Sequence, residues 1–279
     1  MQKELKDDRL RFFIGDVRDK DRLYRAASGA DFLIHAAAMK QVPACEYNPI
    51  EAVRTNIDGT INVIDAAIDN SVKKVIGIST DKAVHPVNLY GATKMTAEKL
   101  LVQGNSYSGD KGTKFSVVRY GNVIGSRGSV IPLFLEQKKN GLITITDTKM
   151  TRFWISLEEG VKLVIECIKK MKGGETFVPK IPSMKLIDLA EAVAPECEKR
   201  IIGIRPGEKI HEVLLTEDEA RHSLEFESYY VIYPEYNFWR ESNPENGKML
   251  EEGFKYSSDT NNNWININQL KELINCKKY

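Results

Sequence analysis

Four short stretches of this chain are apolar almost without a break: RFFIGDV (residues 11–17), DFLIHAA (31–37), KKVIGIST (73–80) and KFSVVRYGN (114–122). A strand with one face in water alternates apolar and polar residues; a strand covered on both faces has no such need. The four runs therefore predict strands held between two layers. Between them the period changes. In NPIEAVRTNIDGTINVIDAAIDNS (48–71), Val53, Ile57, Ile61, Ile64 and Ile68 recur every three or four residues, the spacing of one helix face. NLYGATKMTAEKLLVQG (88–104) is the next helical pattern, with Gly104 as its stop. Strands and helices in alternation build a parallel sheet with helices on both faces.

Beyond Ser126 the rhythm is different. Ser156 and Glu159 form a capping-box pattern at the head of a helix over 156–171. FVPKIPSMKLIDLAEAV and IIGIRPGEKIHEVLL are short strand, turn and helix pieces, and the tail holds the polar run SSDTNNNW. The chain divides into residues 1–128, the α/β part, and residues 129–279, a smaller substrate-binding part whose helix 156–171 is expected to pack back on the first.

Lys and Arg total 40 against 39 Asp and Glu, so the basic excess of a nucleic-acid binder is absent. No apolar run approaches the ~18 residues of a membrane span, and the charged start MQKELKDDRL is no signal peptide. Cys45, Cys167, Cys197 and Cys276 lie far apart with no CxxC pair, which suggests neither zinc nor redox chemistry and fits a reducing cytoplasm. HEVLL starts like a zinc-protease helix but lacks the second His, so no metal is implied. His35, His85 and His222 have no ligand partners at useful spacing and read as structural.

The chemistry is concentrated in STDKAVHPVNLYGATK (79–94). Tyr90 and Lys94, four apart on a helix, share a face. A free phenol has a pKa of ~10, and lowering it by about three units takes ~4 kcal/mol. An ammonium at ~4 Å supplies roughly that at an effective dielectric of 20. The pair follows a strand ending in Ser-Thr-Asp-Lys, at the carboxyl edge where open α/β sheets bind ligands.

This segment resembles the extended short-chain dehydrogenase/reductases that act on nucleotide sugars. With RYGNVIGSRGSV, MTRFWISLEEG, GGETFVPKIPSMKLIDLAEAVAP and IIGIRPGEKIHEVLL, the chain is similar to the soluble inverting UDP-N-acetylglucosamine 4,6-dehydratases, from Arg11 to about Tyr230 and more loosely through YSSDTNNNW. The resemblance implies a doubly wound parallel-sheet (Rossmann) domain, NADP as cofactor, UDP-N-acetylglucosamine as substrate, a homo-oligomer, and a cytoplasmic first step of pseudaminic acid synthesis for glycosylated surface structures such as flagellin. A 4,6-dehydratase oxidises C4, eliminates water across C5 and C6, and returns the hydride to C6, so it needs an acid and a base beside the Tyr. The resemblance implies that Tyr90, supported by Lys94, handles the C4 hydroxyl, that Lys82 takes the C5 proton and that Asp81 protonates the C6 hydroxyl. Retaining relatives carry Asp-Glu at the Asp81–Lys82 position and epimerases carry small residues; membrane-bound relatives often carry Met in place of Tyr90. A Lys acting as base must be partly neutral, which burial near cations would favour.

Further contacts come from the same likeness. Thr80, Asn122, Val130, Arg205 and Glu208 are implied on the substrate side, with Arg205 and Glu208 as the diphosphate and ribose clamp. Asp16, Val17, Ala36, Ala37, Ala38, Asn56, Val123 and Arg127, with Tyr90 and Lys94, are implied on the cofactor side. For Asp16 a generic turn role is equally open.

Such enzymes open with a strand, a Gly-rich loop and a helix that hold the dinucleotide pyrophosphate. No such loop is present, and GNVIGSRG lacks the GxGxxG spacing. The α/β domain is therefore expected to be incomplete, either as a fragment or as a genuine short product. Absence of the central strand would separate residues 11–17 from 31–37 and expose apolar edges. Three readings stand: the inverting dehydratase, an epimerase or retaining dehydratase, and a non-catalytic UDP-sugar-binding or oligomer-forming remnant. The incomplete cradle carries its own expectation. This polypeptide alone binds dinucleotide poorly and turns over little; cofactor titration giving micromolar NADP binding would refute it.

Overall fold

The computed structural model describes residues 7–126, 129–236, 238–239 and 246–275. Its centre is a mixed sheet of seven strands in the order Phe32–His35, Lys74–Thr80, Lys114–Tyr120, Thr176–Pro179, Tyr229–Ile232, Ser223–Glu225 and Lys248–Met249. The first four run parallel. Tyr229–Ile232 turns antiparallel against Thr176–Pro179, and the last two strands extend the sheet antiparallel.

The unbroken apolar runs have a direct cause. Successive side chains of a strand point to opposite faces. Val75, Phe115 and Val117 enter one core with Val63, Ile64, Ala67 and Leu101 from the helices Gly59–Asp69 and Leu89–Ser108. Ile76 and Val118 enter the opposite core with Val164, Cys167 and Met171, against the helix Leu157–Lys170 and its end. That helix starts at the capping box: Ser156 Oγ accepts the Glu159 N–H at 3.1 Å, and Glu159 Oε2 accepts the Ser156 N–H at 2.9 Å.

A third core forms around Phe134, Ile143, Ile145, Met184 and Leu189, with Leu270 of the C-terminal helix. A seam of Phe153, Val178, Leu214, Tyr230 and Tyr256 joins it to the sheet.

Two local expectations are corrected. Residues 11–17 form no strand. A strand needs a neighbour to take its backbone N–H and C=O groups, and no described strand lies beside them. Phe12, Phe13 and Ile14 are exposed, Ile14 at 92 %. Phe32–His35 is the sheet edge, with Phe32 and Ile34 more than half exposed. Among the described residues the sheet thus ends in an exposed apolar edge. Nor does Gly104 stop its helix, which runs on to Ser108. A Cβ at Gly104 would lie 3.2 Å from Phe115, so this glycine allows the helix to lie close on the sheet.

Arg119, buried on the third strand, ties the layers together. Its guanidinium donates to both Glu98 oxygens at 2.7 and 3.1 Å, to both Glu219 oxygens at 2.9 and 3.1 Å, and to the Leu214 carbonyl at 3.0 Å. All five donors are used. Replacing it by Ala leaves Glu98 as a buried, unpaired carboxylate. Arg119→Ala is expected to lose about 3–5 kcal/mol, read by urea unfolding.

His35 ends the edge strand, buried, with Nε2 3.1 Å from Thr60 Oγ1. Burial, with Lys94 adding to it, lowers its pKa to about 4. The unfolded chain therefore binds more protons between pH 6.5 and 4, so stability falls as pH drops through that window. The loss is on the order of 3 kcal/mol. His35→Gln should flatten this part of the pH–stability curve, measured by denaturant titration at stepped pH.

Candidate active site

The parallel strands end at one edge, and the chemically loaded segments leave from there. Ala36, Ala37 and Ala38 follow the first strand, Asp81 and Lys82 the second, and the bridge-like strand Asn122–Val123 the third. Asp81–Ala83 is a single 3₁₀ turn capped by Thr80, whose hydroxyl accepts the Lys82 N–H and donates to Asp81 Oδ1 at 2.9 Å. Lys82 Nζ donates to the same Oδ1 at 3.0 Å. Asp81 is wholly buried, and its Oδ2 has no partner.

The helix carrying Tyr90 starts with Asn88, whose side chain accepts the Gly91 N–H at 2.8 Å. A Cβ at Gly91 would lie 2.2 Å from the Lys82 carbonyl oxygen. Only glycine lets this helix press its first turn against the Asp81–Lys82 turn. Lys209 clamps the turn from the other side, donating to the carbonyls of Val84 at 2.6 Å and Asp81 at 3.4 Å. Asn88 Nδ2 donates to the Gly207 carbonyl at 2.8 Å, so the RPGEK loop is fastened to the same helix.

The electrostatics depart from the sequence reading in two ways. First, the Lys82 ammonium contributes a cation at Tyr90. Burial pushes the Tyr90 phenol up to about 12; the Lys82 ammonium and a hydrogen bond with Thr80 pull it back, and Asp81 opposes them. Lys94 Nζ donates to the Ile78 carbonyl at 2.8 Å. Burial lowers Lys94 to about 8, against the pull of Glu98. Second, Lys82 is held firmly as an ammonium. Burial and Arg152 act against its charge, but Asp81 and Glu212 outweigh them and raise its pKa.

Glu212, Arg152 and Lys209 received no role from the sequence. Glu212 Oε1 lies 3.6 Å from Lys82 Nζ and 3.7 Å from Arg152 Nε, and Oε2 lies 3.5 Å from Lys209 Nζ. The i, i+3 spacing of Lys209 and Glu212 was the one available signal. His211 and Glu212 precede the strand Val213–Leu215 and sit on no helix.

The remaining predicted residues fall into place unevenly. Asn122 Oδ1 and Glu208 Oε2 are buried without partners, as are Ser79 Oγ and Ser129 Oγ. Arg205 is exposed beside Glu208, whose N–H bonds the Arg205 carbonyl at 3.1 Å. Val130 opens the helix Val130–Lys138, and Val123 pairs with Ile155. Asn56 sits in a π-helical turn, Arg54–Asp58. Its amide donates to the Met39 carbonyl and to Thr93, and accepts the Met39 N–H. Asn56 thus holds the loop after the first strand in shape. Asp16 is exposed and paired with Arg18 at 2.8 Å, which draws its carboxyl down to about 2. Val17 packs on Gly59, and its carbonyl accepts from Asn62. Arg127 lies outside the described residues.

A nicotinamide dinucleotide fits part of this edge. Lys94 keeps two of its three donors unengaged in a buried position, and Ala36 and Ala37 are exposed with small side chains. The described residues contain no Gly-rich strand–loop–helix to receive the pyrophosphate.

Residues 1–234 match the family described as polysaccharide biosynthesis protein. The chain is 54 % identical over 275 residues to the inverting UDP-N-acetylglucosamine 4,6-dehydratase of Campylobacter jejuni, covering 95 % of this chain and 82 % of that protein. It is 41 % identical over 286 residues to the UDP-glucose 4-epimerase of Rickettsia conorii, covering 98 % and 82 %. Among solved structures, Pen from Bacillus thuringiensis superposes with a TM-score of 0.90 at 44 % identity, covering 99 % of this chain and 85 % of that one. The chain belongs to the polysaccharide biosynthesis protein family, together with the inverting UDP-N-acetylglucosamine 4,6-dehydratases.

Proposed function

We propose that the protein is an NADP-dependent UDP-N-acetylglucosamine 4,6-dehydratase that inverts C5, releasing UDP-2-acetamido-2,6-dideoxy-β-L-arabino-hex-4-ulose. The observation that carries this reading is the Lys82–Asp81 pair, 3.0 Å apart beside a buried Tyr90 at the carboxyl edge of the sheet. The 54 % identity to the Campylobacter dehydratase supports it. The product would enter pseudaminic acid synthesis for flagellin glycosylation, in the cytoplasm, with the enzyme acting as a homo-oligomer.

Tyr90, Lys94, Ala36, Ala37, Ala38, Val123, Asp16, Val17 and Arg127 would hold the dinucleotide, with Asn56 shaping the loop. When bound, the dinucleotide would supply the hydride acceptor for C4 and the hydride source for C6. Tyr90, as a phenolate supported by Lys94 and by the positive charge an oxidised nicotinamide would bring, receives the C4 hydroxyl proton. Thr80, Asn122, Val130, Glu208 and Arg205 orient the sugar nucleotide, Arg205 through its planar fork on the diphosphate.

The elimination needs a neutral amine and a protonated acid, whereas the free site holds an ammonium and a carboxylate. One proton transfer, from Lys82 Nζ to Asp81 across their hydrogen bond, converts one pair into the other with no change in net charge. Shutting out water favours the uncharged pair, because low dielectric penalises ions. Lys82 then takes the C5 proton, the C5–C6 double bond forms, the C6–O bond breaks, and Asp81 gives its proton to the departing oxygen as water. The ion pair is restored; with hydride returned to C6, C5 takes a proton on the face opposite the one that lost it, balanced by the proton Tyr90 took from the C4 hydroxyl, and the centre is inverted. The 4-keto group formed earlier makes the C5 proton acidic enough for this step.

A second reading, C4 epimerisation, draws on the 41 % identity to the Rickettsia epimerase. An epimerase needs neither Lys82 nor Asp81. With enzyme in excess over UDP-N-acetylglucosamine and saturating NADP, even a slow chain accumulates product for NMR. A 4-keto-6-deoxy sugar inverted at C5 is expected; UDP-N-acetylgalactosamine would overturn the dehydratase reading. Lys82→Ala should cut product formation at least ~10²-fold, the lower range for loss of one acid–base group. An undiminished rate in that variant would remove Lys82 from the mechanism.

A further inference from the structure

The cluster above Lys82 contains a carboxylate that the elimination does not use. Glu212 has a side chain only 3 % exposed. It faces three cations, yet each lies between 3.5 and 3.7 Å away, and Oε2 has no hydrogen-bond partner. Its backbone, by contrast, is tightly fixed. The Glu212 N–H donates to Ser258 Oγ at 2.9 Å, and the Ser258 N–H donates back to the Glu212 carbonyl at 2.8 Å. Ser258 Oγ also meets Thr151 Oγ1 at 2.7 Å, and Thr151 meets His211 Nδ1 at 2.8 Å. The YSSDT segment therefore serves as a mount that aims one buried carboxylate at the catalytic amine.

We propose that Glu212 is a positioning residue: its carboxylate holds the Lys82 amine against Asp81 and governs how readily that amine gives up its proton, with Arg152 and Lys209 as counterweights. The inference rests on the dehydratase reading for its place in the reaction, but not for the coupling itself.

The physical reason is the balance of charge around Nζ. Lys82 faces Asp81 on its own turn, Tyr90 on the adjoining helix, Arg152 on the strand Thr151–Ile155, and Glu212 on the segment before Val213–Leu215, where Lys209 flanks the Glu212 carboxylate and bonds the Asp81 carbonyl. Asp81 is the acid partner and cannot also serve as a fixed anchor, since its charge changes in each elimination. Glu212 takes no part in the proton transfer, and Arg152 and Lys209 flank its carboxylate on the other sides. A fixed anion at 3.6 Å returns the amine to the same place after every proton transfer. It also makes the amine harder to deprotonate, and the two flanking cations limit that effect. Removing Glu212 should loosen the proton; removing Lys209 should tighten it. A role confined to packing predicts neither sign.

The test is competitive labelling of Lys82 with acetic anhydride across a pH series, read by peptide mass spectrometry. The exposed Lys111 serves as internal reference. In Glu212→Gln, Lys82 labelling at pH 9 should rise at least tenfold over the unsubstituted protein. In Lys209→Gln it should fall, and in Glu212→Asp it should stay within about threefold. Circular dichroism confirms that each variant is folded, and the opposite sign expected for Lys209→Gln provides an independent test should Glu212→Gln fail to fold. Unchanged labelling in both Gln variants, or a shift of the same sign in both, overturns the proposal. Turnover is scored separately. If the labelling shifts appear while UDP-N-acetylglucosamine yields no dehydrated product, the coupling stands and the dehydratase reading fails.

Discussion

Parallel pairing between Lys74–Thr80 and Lys114–Tyr120 is unbroken from Lys74–Lys114 to Thr80–Tyr120, and the rest of the molecule is arranged around it. Because the strands are in register to their last residues, the segments that leave them start at one level. Asp81 and Gly121 therefore begin side by side. The helix layers on either face are fixed by alternate side chains of these same strands. A one-residue slip would exchange the two cores and turn Phe115 and Val117 toward the wrong helices. The constraint that places the Asp81–Lys82 turn is thus the same one that packs the interior.

Two buried ionic clusters flank this ladder, and they contrast instructively. Around Arg119 every guanidinium hydrogen is matched to an oxygen. Around Lys82, Asp81 Oδ2 and Glu212 Oε2 are left without partners. A buried polar atom with no partner costs about 1–3 kcal/mol, so a purely structural cluster would be expected to satisfy it. The first cluster is closed and holds layers together. The second leaves polar atoms unmatched, as do Asn122 and Glu208 among the predicted contacts, which is the pattern expected of residues that wait for a polar ligand.

Much of this was legible in the sequence, because the signals were local. Continuous apolar runs gave three of the four strands, and the Ser156–Glu159 capping box marked a helix start correctly. The Asp81, Lys82 and Tyr90 grouping was visible within a dozen residues. The failures have a common cause, which is dependence on partners distant in the chain. Residues 11–17 have strand composition, but a strand exists only beside another. Lys94, read only as a helical neighbour of Tyr90, also donates to the Ile78 carbonyl on the preceding strand. Lys209 meets the turn after the second strand across 125 residues, and Glu212 is held beside Lys82 by a backbone hydrogen bond to Ser258. No periodicity encodes such meetings.

The outer side of Phe32–His35 presents backbone amides and carbonyls beside two apolar side chains. Such a margin can be zippered onto by any extended polypeptide of matching polarity, including another molecule's margin. For a protein handled at high concentration this means ribbon-like self-recruitment that grows with crowding of like molecules, and a thermal midpoint that moves with dilution. Any segment that pairs with that four-residue border would close it to such recruitment.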